Sequence, residues 1–567
     1  MENLFETYPE AMSRSVAWDE MFTAAGGARP GYDAIEAALR RLSLADVTAR
    51  AESMARTFLD RGVTFDFAGE ERAWPLDIVP RIIAAEDWRT IEAGVQQRVR
   101  VLEAFLDDVY DSMECVKDGV VPRSLITTSA HFHRAVHGFR PAGGVRVHIS
   151  GVDIVRDDDG TFRVLEDNVR VPSGVSYVLE NRRAMSKGLP EAFGAFPVRP
   201  VDEYPRRLLT ALRRTAPEGV EDPVVVVLTP GVFNSAYFEH TLLAGMMGVE
   251  LVEGSDLVVR GNRVYMRTTA GERRVDVIYK RLDDEFLDPL HFKPDSLLGV
   301  PGIVNAARAG NVTIANALGN GVADDKLVYT YMPDLVRYYL GEEMILPNVD
   351  TFRLEEDEAR EEVMDRLDEL VVKPVDGSGG KGLVVGPQAT RAELEELRAK
   401  VLADPRGWIA QPVLQLSTVP TLDEDRFGPR HVDLRPFAVH DGDDVWVLPG
   451  GLTRVALQEG SLVVNSSQGG GSKDTWVMVD PEAMRPAVPE SAPQIHVVGD
   501  AWDPGAESPV SEVGEEDLHG AVPQANQENG PGAPRAQQQQ QQQQRQRRRR
   551  QACGRRADAP QKGGAAC

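Results

Sequence analysis

Cysteine is almost missing from this chain of 567 residues: Cys115, Cys553 and Cys567 are all there is. So few thiols, two of them near the end, cannot build a disulfide framework or a thiolate metal cage. Lysine is scarce too, ten against 53 arginines, so a lysine at a motif position is informative. No apolar run is long enough to span a bilayer, and the opening MENLFETYPEAMSRSV lacks the basic-then-apolar layout of a secretory leader. The expectation is a cytoplasmic protein with no membrane partner. Positive charge is short in the body: the net charge is −25, yet residues 531–567 carry nine Lys/Arg and one Asp, which leaves 1–530 at −33. So acidic a surface argues against nucleic-acid binding.

What is present is an ordinary globular mix, 42% hydrophobic and 27% charged, on a chain long enough for two or three cores. Residues 1–145 read as mostly helical, with Ile91, Val95, Val99, Leu102, Leu106 and Val109 forming one apolar stripe at spacings of three and four. From Val145 the period changes. Val145–Ile149 and Phe162–Leu165 read as strands around the turn Asp157-Asp-Asp-Gly160, opening a segment over 146–220. Buried-strand patterns at Val224–Leu228, Glu250–Val252 and Val275–Tyr279, with a helix from Ser235 to Gly248, predict an open α/β domain over 221–323. Residues 324–480 mix strands, helices and glycine-rich loops. Beyond 481 the composition collapses into a Gln/Arg-rich tail that cannot bury a core and reads as disordered.

Three constellations carry chemistry. In LVVKPVDGSGGKGLVV (370–385) a strand delivers Lys373 to a loop in which Gly377, Ser378, Gly379 and Gly380 let backbone N–H groups approach an anion. It is not a Walker loop, because Val375 stands at the first glycine position and Gly382 follows Lys381. Alone, it also fits a plain glycine-rich hairpin. Second, Gly151-Val-Asp153 and Glu166-Asp-Asn168 bracket a hairpin that would set Asp153, Glu166 and Asn168 together. Two carboxylates and an amide oxygen suit Mg²⁺, although an acidic solvated hairpin edge reads the same way. Third, alternation puts Asp433 and Arg435 on one strand face, and Arg454 ends another strand; arginines aimed at an anion neutralise phosphoryl charge.

Lys373 with its loop, the segment Gln411-Pro412-Val413-Leu414, the Asp-x-Arg strand and Arg454 leading to Asn465 follow the ATP-grasp pattern of glutathione synthetases and ribosomal-protein glutamate ligases. Here Gly151-x-Asp153 and Glu166-x-Asn168 precede those elements instead of following them. That inverted order resembles the circularly permuted ATP-grasp family, relatives of glutathionylspermidine synthetase. LTPGVFNSAYFEH (228–240), GVADDKLVYTYMP (321–333), RHVDLRPFAV (430–439) and NSSQGGGSKDTW (465–476) look like that family nearly word for word.

The resemblance implies an α/β (α+β) fold: a circularly permuted ATP-grasp with an inserted open α/β, pre-ATP-grasp-like domain and a helical N-terminal region. It implies ATP and Mg²⁺ as cofactors, with Asp153, Glu166 and Asn168 on the metal, Lys326 and Lys373 on phosphates, and Gln411 and its neighbours at adenine. The glutathionylspermidine branch carries Arg two residues before its metal Asp. Gly151 stands there in this chain, leaving Arg156, Arg170, Arg435 and Arg454 as candidates for that part. The expected reaction is amide formation between carboxylate and amine substrates, small molecules or peptides, through an acylphosphate; an ATP-grasp kinase and a non-turnover nucleotide-binding partner are the other readings. His131, His133 and His137 lack the Glu of a zinc helix, whereas Arg281, Asp283, Asp284 and Glu285 are candidates to face substrate.

Overall fold

The computed structural model of the chain describes residues 4–67, 70–376, 382–423, 426–464 and 470–480, so the expectation for the tail lies outside them. The helix Ala85–Val109 is the longest element and organises the N-terminal region. Its predicted stripe is entirely buried, and Glu86 and Asp87 in the first turn complement the helix dipole. Each such side chain contributes roughly 1.5–3 kcal/mol on leaving water. The N-terminal region also holds a strand that the sequence reading did not separate from the helices, Leu76–Ile83. Seven of its eight residues are buried, so no alternation marks it. Pro80 is accommodated because the strand lies at the sheet edge and its pairing with Gly471–Val477 slips by two residues between Asp77 and Arg81.

Among the described residues, that strand ends a nine-stranded sheet in which Ile149–Arg156 is central, between Phe437–His440 and Arg426–Arg435. A four-stranded parallel sheet runs Thr313–Ala315, Val277–Lys280, Val225–Leu228, Glu250–Val252. Its helix Tyr237–Met247 stops at Gly248, whose φ of 68° closes the turn. A separate four-stranded antiparallel sheet joins Phe352–Arg353, Trp408–Pro412, Leu370–Pro374 and Val384–Val385. Helices with several separate sheets make a mixed α/β fold, as the resemblance to the permuted ATP-grasp family implies. No described helix is long and apolar enough to cross a membrane.

The expected strand at Val145–Ile149 begins only at Ile149. The Arg146 and Val147 amides donate to the Glu103 carboxylate at 2.7 and 2.8 Å. The long helix thus captures through a side chain the N–H groups a neighbouring strand would have used.

Candidate active site

The Ile149–Arg156 and Phe162–Asn168 strands pair so that Asp153 faces Glu166 and Gly151 faces Asn168. The register slips by one at Leu165, a bulge that aims the last residues of the second strand. Asp167, between Glu166 and Asn168, turns to the opposite face. There Arg98 of the long helix donates to it at 2.8 and 2.5 Å, both side chains fully buried. Alternation therefore separates a structural acid from two residues on the open face. The sequence reading did not single out Arg98.

The adjacent Arg426–Arg435 strand sets Leu434 against Ile154 and Asp433 against Arg454. Arg435 grips both oxygens of Asp153, with its Nη2 at 2.7 Å from Oδ2. The Nη2 of Arg454 reaches the same Oδ2 at 2.7 Å, while its Nε lies 2.9 Å from the Asp433 oxygens. Burial alone would push the Asp153 carboxyl up, but these two guanidinium groups hold it well below the usual carboxylate range.

Glu166 stays partly open. Lys326, at the start of the Lys326–Thr330 helix, lies 3.3 Å from it, and Arg435 lies 4.0 Å away. From the separate antiparallel sheet, Lys373 donates to Gln411 Oε1 at 2.5 Å, and Gln411 Nε2 donates to Thr351 at 2.9 Å. Burial lowers the Lys373 ammonium to about 8; Glu166 and Asp153 raise it and Lys326 lowers it, so these four charges share one region. Asp153, Glu166, Lys326, Arg435 and Arg454 thus converge, and Lys373 is near enough for Glu166, Asp153 and Lys326 to act on its charge. Pro412 ends its strand, and Val413 and Leu414 follow it, half-buried. Gly377, Ser378, Gly379 and Gly380 lie outside the described residues, as does Asn465.

Arg170 stands apart from the Asp153 cluster. Its Nε lies 3.5 Å from both Asp283 and Asp324, and its Nη1 lies 3.3 Å from His131. Burial raises the Asp324 carboxyl to about 7, against the pull of Arg170. The Nη2 of Arg156 points to Asp87 at 3.2 Å. His133 and His137 flank the short turn Arg134–Val136, so they do not share a helix face.

Two of the α/β-domain candidates are corrected. Arg281 is buried, donating to Glu239 at 2.8 Å and to the Pro172 carbonyl at 2.7 Å, and Asp284 is buried against Lys280 at 2.9 Å. They follow an interior strand; the Pro172 carbonyl covers Arg281, and Asp284 accepts from the Gly319 N–H at 2.7 Å instead of opening to substrate. Glu239 also accepts from the Gly174 N–H at 2.6 Å and from the Ser176 hydroxyl at 3.0 Å. Glu239 lies in the family-like FEH stretch, but nothing in its spacing announced a role in fixing that segment.

For a divalent cation the donor chemistry fits in part. Glu166 has its carboxylate at the open face, and the Asn168 amide nitrogen is buried with no hydrogen-bond partner among the described residues. An amide reads equally well with oxygen and nitrogen exchanged, which would present an oxygen ligand there. Asp153 is engaged by Arg435 and Arg454 on both oxygens, so it is the least available of the three.

The model of circularly permuted ATP-grasp type 2 matches residues 80–456. The chain belongs to that family. It is 58% identical over 494 residues to an uncharacterized Mycobacterium tuberculosis protein, covering 87% of this chain and 90% of that one. A Frankia casuarinae protein with a provisional glutamate–cysteine ligase name is 47% identical over 466 residues; the match spans 81% of this chain and 53% of that protein. About half of the ligase-named protein therefore lies outside the match. A glutathione synthetase-like effector from Globodera pallida, solved in its apo form, superposes with a TM-score of 0.50 at 12% identity. That superposition covers 77% of this chain and 98% of the effector, and it speaks to fold alone. Family and relatives together support an ATP-dependent ligase in general terms.

Proposed function

We propose that the chain is an ATP- and Mg²⁺-dependent carboxylate–amine ligase that forms a peptide-like amide through an acylphosphate. The observation that supports it is that Lys326, at a helix start, lies beside Glu166 with Arg435, while Lys373, from a separate sheet, is near enough for Glu166, Asp153 and Lys326 to act on its charge. A triphosphate between the two sheets would meet the two ammonium groups on one side and the guanidinium groups on the other. Pro412, Val413 and Leu414, beside Gln411, are the proposed adenine wall, and Gly377, Ser378, Gly379 and Gly380 the proposed phosphate loop. Held by Glu166 and Asn168, with Asp153 nearby, Mg²⁺ would withdraw charge from the phosphate oxygens.

In the first step a substrate carboxylate oxygen bonds to the γ-phosphorus while the bond to the ADP oxygen breaks. In the second, the amine nitrogen bonds to the acyl carbon, the acyl–oxygen bond breaks, phosphate leaves, and the amine proton passes to solvent. The protein needs no nucleophile of its own. Lys326, Lys373 and Arg435 orient the reactants and neutralise charge that moves between oxygens, with Arg454 holding Asp153 in place beside Arg435. Arg170, with His131, Asp283 and Asp324, is the proposed substrate-side charge cluster.

Release of ADP, screened against pooled amino acids, short peptides and polyamines, tests the reading, with Glu166→Ala as the blank. ADP with phosphate and an amide supports a ligase. ADP with a stable phospho-product makes it a kinase, and ATP binding without ADP under every pool makes it a non-turnover partner protein.

A further inference from the structure

Gly151 and Arg435 occupy one slot. A Cβ placed on Gly151 would lie 3.2 Å from Cδ of Arg435 and 3.5 Å from its Cγ, with Cβ of Pro172 at 3.1 Å. Gly151 is not among the glycines with positive φ, so any residue could adopt its backbone, and what the position supplies is room. Through that room the Arg435 stem crosses the central strand. Its guanidinium then takes both Asp153 oxygens, donates to the Ser173 carbonyl at 3.3 Å and ends 4.0 Å from Glu166. Arg454 backs the same carboxylate but is itself fixed on Asp433. Of the two arginines, Arg435 is the one beside the carboxylate that Lys326 shares.

We propose that Arg435 grips the terminal phosphoryl group of the nucleotide, that Asp153 and Arg454 are positioning residues holding it ready, and that residue 151 is glycine so that the Arg435 stem can pass. This rests on the nucleotide-site reading above. Approaches of 3.1 Å to Pro172 and 3.2 Å to Arg435 are tighter than ordinary contact, so one methyl at 151 presses the arginine stem aside by a few tenths of an ångström. Gly151, with no side-chain chemistry, thereby controls where a charge sits.

The test is calorimetric titration of the full chain with Mg²⁺ and either a non-hydrolysable ATP analogue or ADP. The native chain should prefer the triphosphate. Arg435→Ala should lower triphosphate affinity by about tenfold or more, the scale of a lost charge-assisted contact, and leave ADP affinity within about twofold. Arg435→Lys, which keeps a cation beside Asp153, should recover part of the preference and guards against a folding defect. Gly151→Ala should lower triphosphate affinity in the same direction as Arg435→Ala but by less, and adding it to Arg435→Ala should cost nothing further, the mark of two residues acting as one unit. An unchanged triphosphate-to-ADP ratio in Arg435→Ala, or an equal Gly151→Ala cost in both backgrounds, overturns the proposal. A native chain that binds neither nucleotide overturns the nucleotide-site reading itself, and this proposal with it.

Discussion

The ammonium of Lys373 donates to the side-chain oxygen of Gln411 at 2.5 Å, and the nitrogen of that amide is already given to Thr351 at 2.9 Å. One end of Gln411 therefore holds the lysine and the other is fixed on Thr351, so in the proposed site adenine would meet the backbone that follows it. Gln411→Ala should weaken ATP and GTP binding together by about tenfold, the size of a lost charge-assisted hydrogen bond, without altering the preference between them. Titration of both nucleotides checks this; a change in base preference alone would return the side chain to adenine.

Lys373 should make nucleotide binding depend on pH. Burial brings its ammonium down to about 8, so the charge is present below that pH and lost above it. Affinity for ATP should fall as pH rises through about 8 and stay level from 6 to 7.5. Lys373→Arg, which cannot deprotonate in this range, should flatten the profile. Titrations at stepped pH and constant ionic strength measure it.

Removing the cation should act through Glu166. With EDTA present the native chain should bind ATP more weakly than with Mg²⁺, whereas Glu166→Ala should respond little to the metal. Equal Mg²⁺ dependence in both proteins would take Glu166 out of the metal site.

Glu20 and Arg81 form a fully buried pair that ties the N-terminal region to the site sheet: Arg81 also donates to the Asp433 carbonyl at 3.0 Å, and Ser417 donates to Glu20 at 2.6 Å. Glu20→Ala leaves a buried guanidinium without its partner and should destabilise the fold by about 3–5 kcal/mol in urea unfolding. The double variant Glu20→Leu with Arg81→Met should recover most of that, since an apolar pair needs no desolvation of charge. A full cost remaining in the double variant would mean that packing, not charge, is what Glu20 supplies.

Local pattern carried the reading far. The 91–109 stripe became one buried helix face, and the short hairpin put Asp153 opposite Glu166, because both relationships span a few residues at a fixed period. Family resemblance supplied Lys326, which no local period marks. The reading was less complete where a neighbour from elsewhere redirected the chain. Leu76–Ile83 is buried on both faces and carries no alternation, and the strand expected from Val145 lost the N–H groups of its first residues to Glu103. Arg281 is a sequence candidate to face substrate from the α/β domain, yet Glu239 and the Pro172 carbonyl enclose it.

The amino-acid order by itself determined which chemical groups this protein owns and the periods at which they recur: a lysine before a glycine loop, an acid and an amide two residues apart, an Asp-x-Arg strand. Only the tertiary structure decided which of them meet. It alone showed that the Arg435 stem lies in the space left by Gly151, that Asp153 is shared by two arginines, and that Gln411 answers to Lys373. The reason is physical: periodicity fixes the face a side chain occupies on its own element, while the partner across that face depends on strand register and sheet order, set by burial summed over the whole core.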